Sequence, residues 1–173
     1  MILLDTILHE AIGPAMALLP ARMESREARV ELLAIGLQES RFQYRAQKTS
    51  DPYTRGPARG FWQMERAGGV RGVMTHPKSA DLARWVCTER GVSFDDVLVH
   101  ARLEFDDVLA AAFARLLLWT DPKPLPALSA PASEGWAYYL RNWRPGKPHP
   151  ETWDAYHEQA VAQILTPEER PQP

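Results

Sequence analysis

Apolar residues return at intervals of three and four through most of this chain, and nowhere do they alternate convincingly with a period of two. That periodicity restricts the fold more than any other feature, because a face repeating every 3.6 residues suits a helix and not a strand. The expected class is all-α. Leu4, Ile7, Leu8, Ala11, Ile12, Ala15 and Met16 form the first stripe, so residues 1–20 read as an amphipathic helix closed by Pro20. Asp5, His9 and Glu10 interrupt that run, and no basic leader or small-residue cleavage site accompanies it; it reads as neither a signal peptide nor a stable membrane insertion.

A second helix is expected from near Ser25 to about Glu39, with Val30, Leu33, Ala34 and Leu37 facing inward. Thr75 and Pro77 mark the start of another that runs to about Arg90 and buries Leu82, Trp85 and Val86. Ser93 with Asp96 resembles a capping box for a short helix, and a longer one follows from about Glu104 to Trp119. Asp95-Asp96 and Asp106-Asp107 read as helix starts. Two last helices fit "SEGWAYYLRNW" and "PETWDAYHEQAVAQIL", joined to the rest by the rigid, proline-rich "DPKPLPALSAP". The tail, residues 166–173, should fray.

A chain of 173 residues that is 45% hydrophobic can bury one real core, so residues 1–173 are expected to form a single domain. Cys87 is the only cysteine, which excludes an internal disulfide and a cysteine-based metal site and leaves packing to hold the fold. Cys87 itself reads as a small buried hydrophobe. A net charge of -2 argues against a general nucleic-acid binder. The five histidines are scattered without ligand spacing, so no metal and no cofactor is expected.

The apolar run "LLAIGLQES" ends on the carboxylate of Glu39. The last turn of a helix is the wrong place for an acid, because the partial negative charge there opposes it. Two readings follow: a solvated glutamate without a role, or a proton donor kept protonated by its surroundings. The second suits glycosidic cleavage, where a general acid works best with a pKa near the operating pH.

From Gln43 to Gly60 periodicity is lost over a stretch long enough to count as a functional loop. Between Arg41 and Gly72 stand seven Lys or Arg (Arg41, Arg45, Lys48, Arg55, Arg59, Arg66, Arg71) against Asp51 and Glu65. Interleaved with Phe42, Tyr44, Tyr53, Phe61 and Trp62, they describe a groove wall that stacks on sugar rings and binds anionic groups. An ordinary solvated basic loop has the same composition, and so does a single-stranded nucleic-acid site.

Glu39-Ser40 at a helix end, then Gly60-Phe61-Trp62-Gln63-Met64, then Ala137-Tyr138-Tyr139 resemble, in that order, the Glu-Ser, Gly-x-x-Gln and Ala-Tyr-Asn signatures of lytic transglycosylases. The match covers about residues 28–66 well and the remainder as a helical background; Tyr139 stands where Asn is usual. The resemblance implies a lysozyme-like helical domain with a long loop near the active-site groove. It implies cleavage of peptidoglycan glycan strands between N-acetylmuramic acid and N-acetylglucosamine with a 1,6-anhydro product. By the same resemblance Glu39 is the catalytic acid and base, Ser40 and Gln63 line the sugar site, and Tyr138 or Tyr139 orients Glu39; Phe61 and Trp62, bulkier than the family's usual pair, are candidates for sugar contact as aromatics of the groove wall.

Asp51 and Glu65 are the candidates for a second carboxylate; if either activates water, the enzyme is a hydrolytic muramidase. Trp136, Tyr139 and Trp143 recur at helical spacing and read as core, and "RPGKP" reads as a tight turn whose two cations could touch muropeptide carboxylates. The size and style of the chain resemble a bacteriophage virion-associated enzyme, acting in the bacterial periplasm and assembled with other virion proteins. The rival from another class is a virion structural protein that keeps the fold without turnover.

Overall fold

The structure, a computed structural model, describes residues 4–51 and 53–165. The first helix forms where its stripe places it, though not as one regular cylinder. α1 (Leu4–Ile7), a π-helical turn (Leu8–Ile12) and α2 (Gly13–Ala17) follow without a break. Pro14 explains the wide turn. It has no N–H and its ring displaces the carbonyl four residues back, so hydrogen bonding slips and the Gly13 N–H reaches the Leu8 carbonyl. Ile7, Leu8, Ala11, Ile12, Ala15 and Met16 are all buried. The first three residues and the tail, residues 166–173, lie outside the described residues.

A 3₁₀ turn (Ala21–Met23) leads to α3 (Arg26–Ser40), whose first turn is capped by Ser25, the hydroxyl accepting from the Ala28 N–H at 3.1 Å. Every residue from Val30 to Leu37 is buried. The helix is therefore central rather than amphipathic, and α9 (Pro150–Ile164) is its most extensive neighbour.

The expectation of an all-α chain is corrected between α3 and the next helix. There β1 (Ala46–Lys48), β2 (Arg55–Arg59) and β3 (Met64–Glu65) form an antiparallel sheet in that order. Ala46 lies opposite Arg59 and Lys48 opposite Arg55 with an irregularity between, while Ala58 faces Glu65. The sheet left little trace because its inward positions on β2 are Gly56 and Ala58, too small to register as an alternating pattern, and Pro57 sits between them. The molecule is mainly helical with this small sheet.

After β3 come a π-helical turn (Arg66–Val70), α4 (Arg71–Thr75), α5 (Ala80–Glu89), α6 (Asp96–Arg102), α7 (Asp107–Thr120) and α8 (Ala132–Trp143). Asp95, not Ser93, caps α6 through the N–H groups of Val97 and Leu98, and Asp106 caps α7 through Leu109. Trp85 does not join the α5 stripe: it is half exposed, and Ala83, Val86 and Cys87 are the buried side. The burial of Cys87 pushes its thiol up to about 11, in keeping with a packing role. Buried side chains from the first helix to α9 form one continuous core. No helix among the described residues is long and apolar enough to cross a membrane.

Candidate active site

The end of α3 turns sharply. Arg41 and Phe42 both take left-handed backbone, with φ of 53° each, and Phe42 folds back so that its ring occupies the space beside Gly36. A Cβ on Gly36 would meet that ring at 2.2 Å. Phe42 then packs edge-on against Phe61 and Trp62. The Ser40 hydroxyl sits inside this turn, 2.7 Å from the Phe61 carbonyl to which it donates, and accepts from the Phe42 N–H.

The Gly-x-x-Gln segment is fixed from both sides. Gly60 has φ of 75°, and a Cβ there would stand 3.0 Å from the Leu103 carbonyl, so only glycine fits without strain. The Trp62 indole donates to the Leu32 carbonyl inside α3 at 2.8 Å, and the Trp143 indole donates to the Trp62 carbonyl at 2.8 Å. Gln63, also left-handed, donates from its amide to the Gly60 carbonyl.

These constraints leave Glu39 on the floor of an open cleft of about 990 Å³. Gln63 lines it from the second motif, Glu65 from β3, Gly68 from the turn after β3, Gly72 from α4, and Trp143, Arg144 and Lys147 from the end of α8 and the chain beyond. Gly68 and Gly72 have open space where a Cβ would be, so their missing side chains widen the cleft. Burial pushes the Glu39 carboxyl up from 4.5 to about 7; a hydrogen bond from the Tyr139 hydroxyl opposes this, and the negative charge of Glu65 adds to it. That hydroxyl lies 2.7 Å from Glu39 Oε1. Tyr139 is itself held by a stacked contact with Trp153, ring centroids 5.3 Å apart.

Several expected site residues lie elsewhere. Phe61 and Trp62 are fully buried and offer no face to a ligand; both meet Phe42 edge-on. Ser40 is buried and engaged as above, so it ties the two motifs together instead of lining a sugar site. Tyr138 is one residue, about 100° of helix, away from Tyr139. Its hydroxyl donates to the Leu118 carbonyl. Of the two tyrosines, Tyr139 is the one whose hydroxyl reaches Glu39. Asp51 caps its own exposed turn through the Tyr53 N–H and is not part of the cleft lining, whereas Glu65 is.

The basic stretch is largely consumed inside the molecule. Arg45 makes a two-pronged pair with Asp107, its guanidinium 4.1 Å from the Phe61 ring centroid. Arg55 and Arg59 share Glu104, and Arg71 pairs with Asp96. These pairs tie the stretch to α6, to α7 and to the chain between them, and of its cations Lys48 lies in the cleft lining.

Sequence reasoning passed over Gly68 and Gly72, although their four-residue spacing placed both on one helical face, and over the buried Glu31. A second hollow, of about 530 Å³, lies beside Arg90, Phe105 and Asp106 and contains none of these groups. Among the described residues no group of three His, Cys, Asp or Glu side chains converges as a metal site. Comparison with protein-family models, with curated proteins and with solved structures finds no match for the chain.

Proposed function

We propose that the chain is a lytic transglycosylase of lysozyme-like fold that cleaves the glycan strands of peptidoglycan, carried by a phage particle to the periplasm. The observation that carries the reading is Glu39: a carboxyl held near neutrality by burial, oriented by Tyr139, and open to a cleft large enough for a sugar chain. A carboxyl of ordinary pKa is mostly dissociated at neutral pH and cannot donate, while one at about 7 is poised for both halves of the reaction.

In the first half Glu39 gives its proton to the glycosidic oxygen as the bond from C1 breaks, leaving a positively charged sugar that the neighbouring N-acetyl group stabilises. In the second half the Glu39 carboxylate takes the proton from the sugar's own C6 hydroxyl as O6 bonds to C1. The anhydro ring closes, the leaving strand keeps the first proton, and Glu39 is protonated again. No second carboxylate and no water are consumed.

A hydrolytic reading is favoured by one observation, the presence of Glu65 in the same cleft with a charge that Glu39 feels. A neutral acid beside an ionised partner is the division of labour in hydrolytic glycosidases. Digestion of purified peptidoglycan by the wild type and by Glu39→Gln, with mass spectrometry of the released muropeptides, separates the readings. Anhydro products that fall by at least about a hundredfold in the variant are expected. Reducing-end products instead, lost in Glu65→Gln, make it a muramidase. No products from the wild type leave a structural virion role.

A further inference from the structure

We infer that Arg144 and Lys147 form a carboxylate-binding subsite in the cleft, so that the enzyme selects glycan by the acidic groups attached to its sugars. The inference rests on the proposed cleavage of peptidoglycan.

Several arginines of this chain are already paired with its carboxylates. Away from the cleft, Arg29, Arg45, Arg55, Arg59, Arg71, Arg90 and Arg102 each face a carboxylate of the protein. Of the cleft residues, Arg141 is also taken, its guanidinium 2.8 Å from Asp121 Oδ2. Lys48, which lines the cleft from β1, sits over the Tyr44 ring, its Nζ 3.6 Å from the centroid, and Arg144 and Lys147 are different. Both line the cleft with Glu39, both are exposed, and neither meets a carboxylate among the described residues. Arg144 is bonded only to backbone: its own N–H donates to the Leu140 carbonyl and its Nε reaches the Arg141 carbonyl at 3.4 Å.

The backbone presents these two side chains in a defined way. Arg144 takes left-handed geometry at φ 50° and ends α8, where Asn142 and Arg141 both bind Asp121 and Trp143 is anchored on the Trp62 carbonyl. Pro145 and Gly146 then carry the chain to Lys147. The cationic pair thus follows directly on the helix that supplies Tyr139 to Glu39.

Two unpaired cations on a glycan cleft call for an anionic substituent on the sugar, since a neutral hydroxyl-rich strand gains little from them. Peptidoglycan offers carboxylates in two places, on the stem peptide and, where that peptide has been removed, on the lactyl group. The chemistry is the same, a planar anion accepting from a guanidinium and an ammonium.

The test compares three substrates: intact peptidoglycan, peptidoglycan with its carboxylates capped as methylamides by carbodiimide coupling, and strands stripped of peptide by an amidase. Intact material should be cleaved about tenfold faster than the capped form at subsaturating concentration. In Arg144→Gln/Lys147→Gln that ratio should collapse toward one, with the loss on intact substrate appearing in KM, and Arg144→Lys/Lys147→Arg should restore it. Stripped strands cleaved as fast as intact ones mean that the freed lactyl carboxylate serves as well as the peptide's, and slower cleavage means that the subsite takes the peptide's carboxylate alone. Equal wild-type rates on intact and capped peptidoglycan overturn the subsite while leaving the cleavage activity standing. A wild type that cleaves none of the three overturns both.

Discussion

Glu39 is under three influences of different sign, and two of them can be removed one at a time. The Tyr139 hydroxyl donates to the carboxylate and so favours its charged form, while the Glu65 charge disfavours it. As the proton donor, Glu39 must be protonated when substrate arrives, so kcat/KM should fall as pH rises through about 7. Tyr139→Phe removes the stabilising donor, raises the pKa, and should move that alkaline limb to higher pH. Glu65→Gln removes the repulsion, lowers the pKa, and should move it to lower pH. The measurement is the pH profile of kcat/KM for the three proteins; limbs that stay together would remove Glu39 as the titrating acid. Asp51 has no such lever, because its carboxylate is spent on the turn at Tyr53.

At the scale of elements, the signature residues act first as joints. Ser40→Ala would strand the buried Phe42 N–H and Phe61 carbonyl, at a cost of about 1 to 3 kcal/mol. Gly36→Ala gains up to about 1 kcal/mol of helix propensity. It also drives a methyl into a ring already wedged between Phe61 and Trp62, and the clash should win by about 1 to 3 kcal/mol. Both variants should lower the urea midpoint with an unchanged slope. If Ser40→Ala instead kept its midpoint and lost activity, the serine would be a sugar ligand after all. The same joints show what the sequence could reveal. α3 and α8 were legible because Leu33 with Leu37, and Trp136 with Tyr139 and Trp143, recur at helical spacing, α9 because Pro150 opens its run in the first turn, and Glu39 because an acid ending an apolar run is anomalous. Phe61 and Trp62 were misread as groove residues because composition cannot say which way an aromatic points beside a left-handed turn. The sheet was missed because Gly56 and Ala58 carry its inward face, and the basic stretch was misjudged because its partners, Glu104, Asp107 and Asp96, lie dozens of residues away. Trp85 failed through its position on the open side of α5.

For the whole molecule, the buried acids tie stability to pH. Glu31 lies two turns before Glu39 on α3, only 1% exposed, and burial pushes its carboxyl from 4.5 to about 8. Its Oε2 has no hydrogen-bond partner, and its Oε1 is 4.0 Å from His157 Nε2 on α9, too far for a hydrogen bond. Burial also lowers the pKa of His157, against the charge of Asp154, and so favours the neutral imidazole. Close packing leaves no room for relief, since a Cβ on Gly135 of α8 would already stand 3.1 Å from Glu31 Oε1. Between about pH 4.5 and 8 the folded chain therefore holds a proton on Glu31 that the unfolded chain has released. At this site the unfolded state binds fewer protons, so the contribution of Glu31 to stability falls as pH rises, on the order of 1 kcal/mol per pH unit, and levels off above about 8. Glu39 adds a loss of the same sign up to about 7. Glu31→Gln keeps the shape of the protonated side chain and cannot ionise. It should match the wild type at pH 5 within about 1 kcal/mol and exceed its stability at pH 8, with a shallower slope between. Urea midpoints of the two proteins at pH 5 and 8 decide the matter: parallel pH dependences would mean that Glu31 is ionised in the fold and that a partner for it exists which the packing of α3, α8 and α9 does not show.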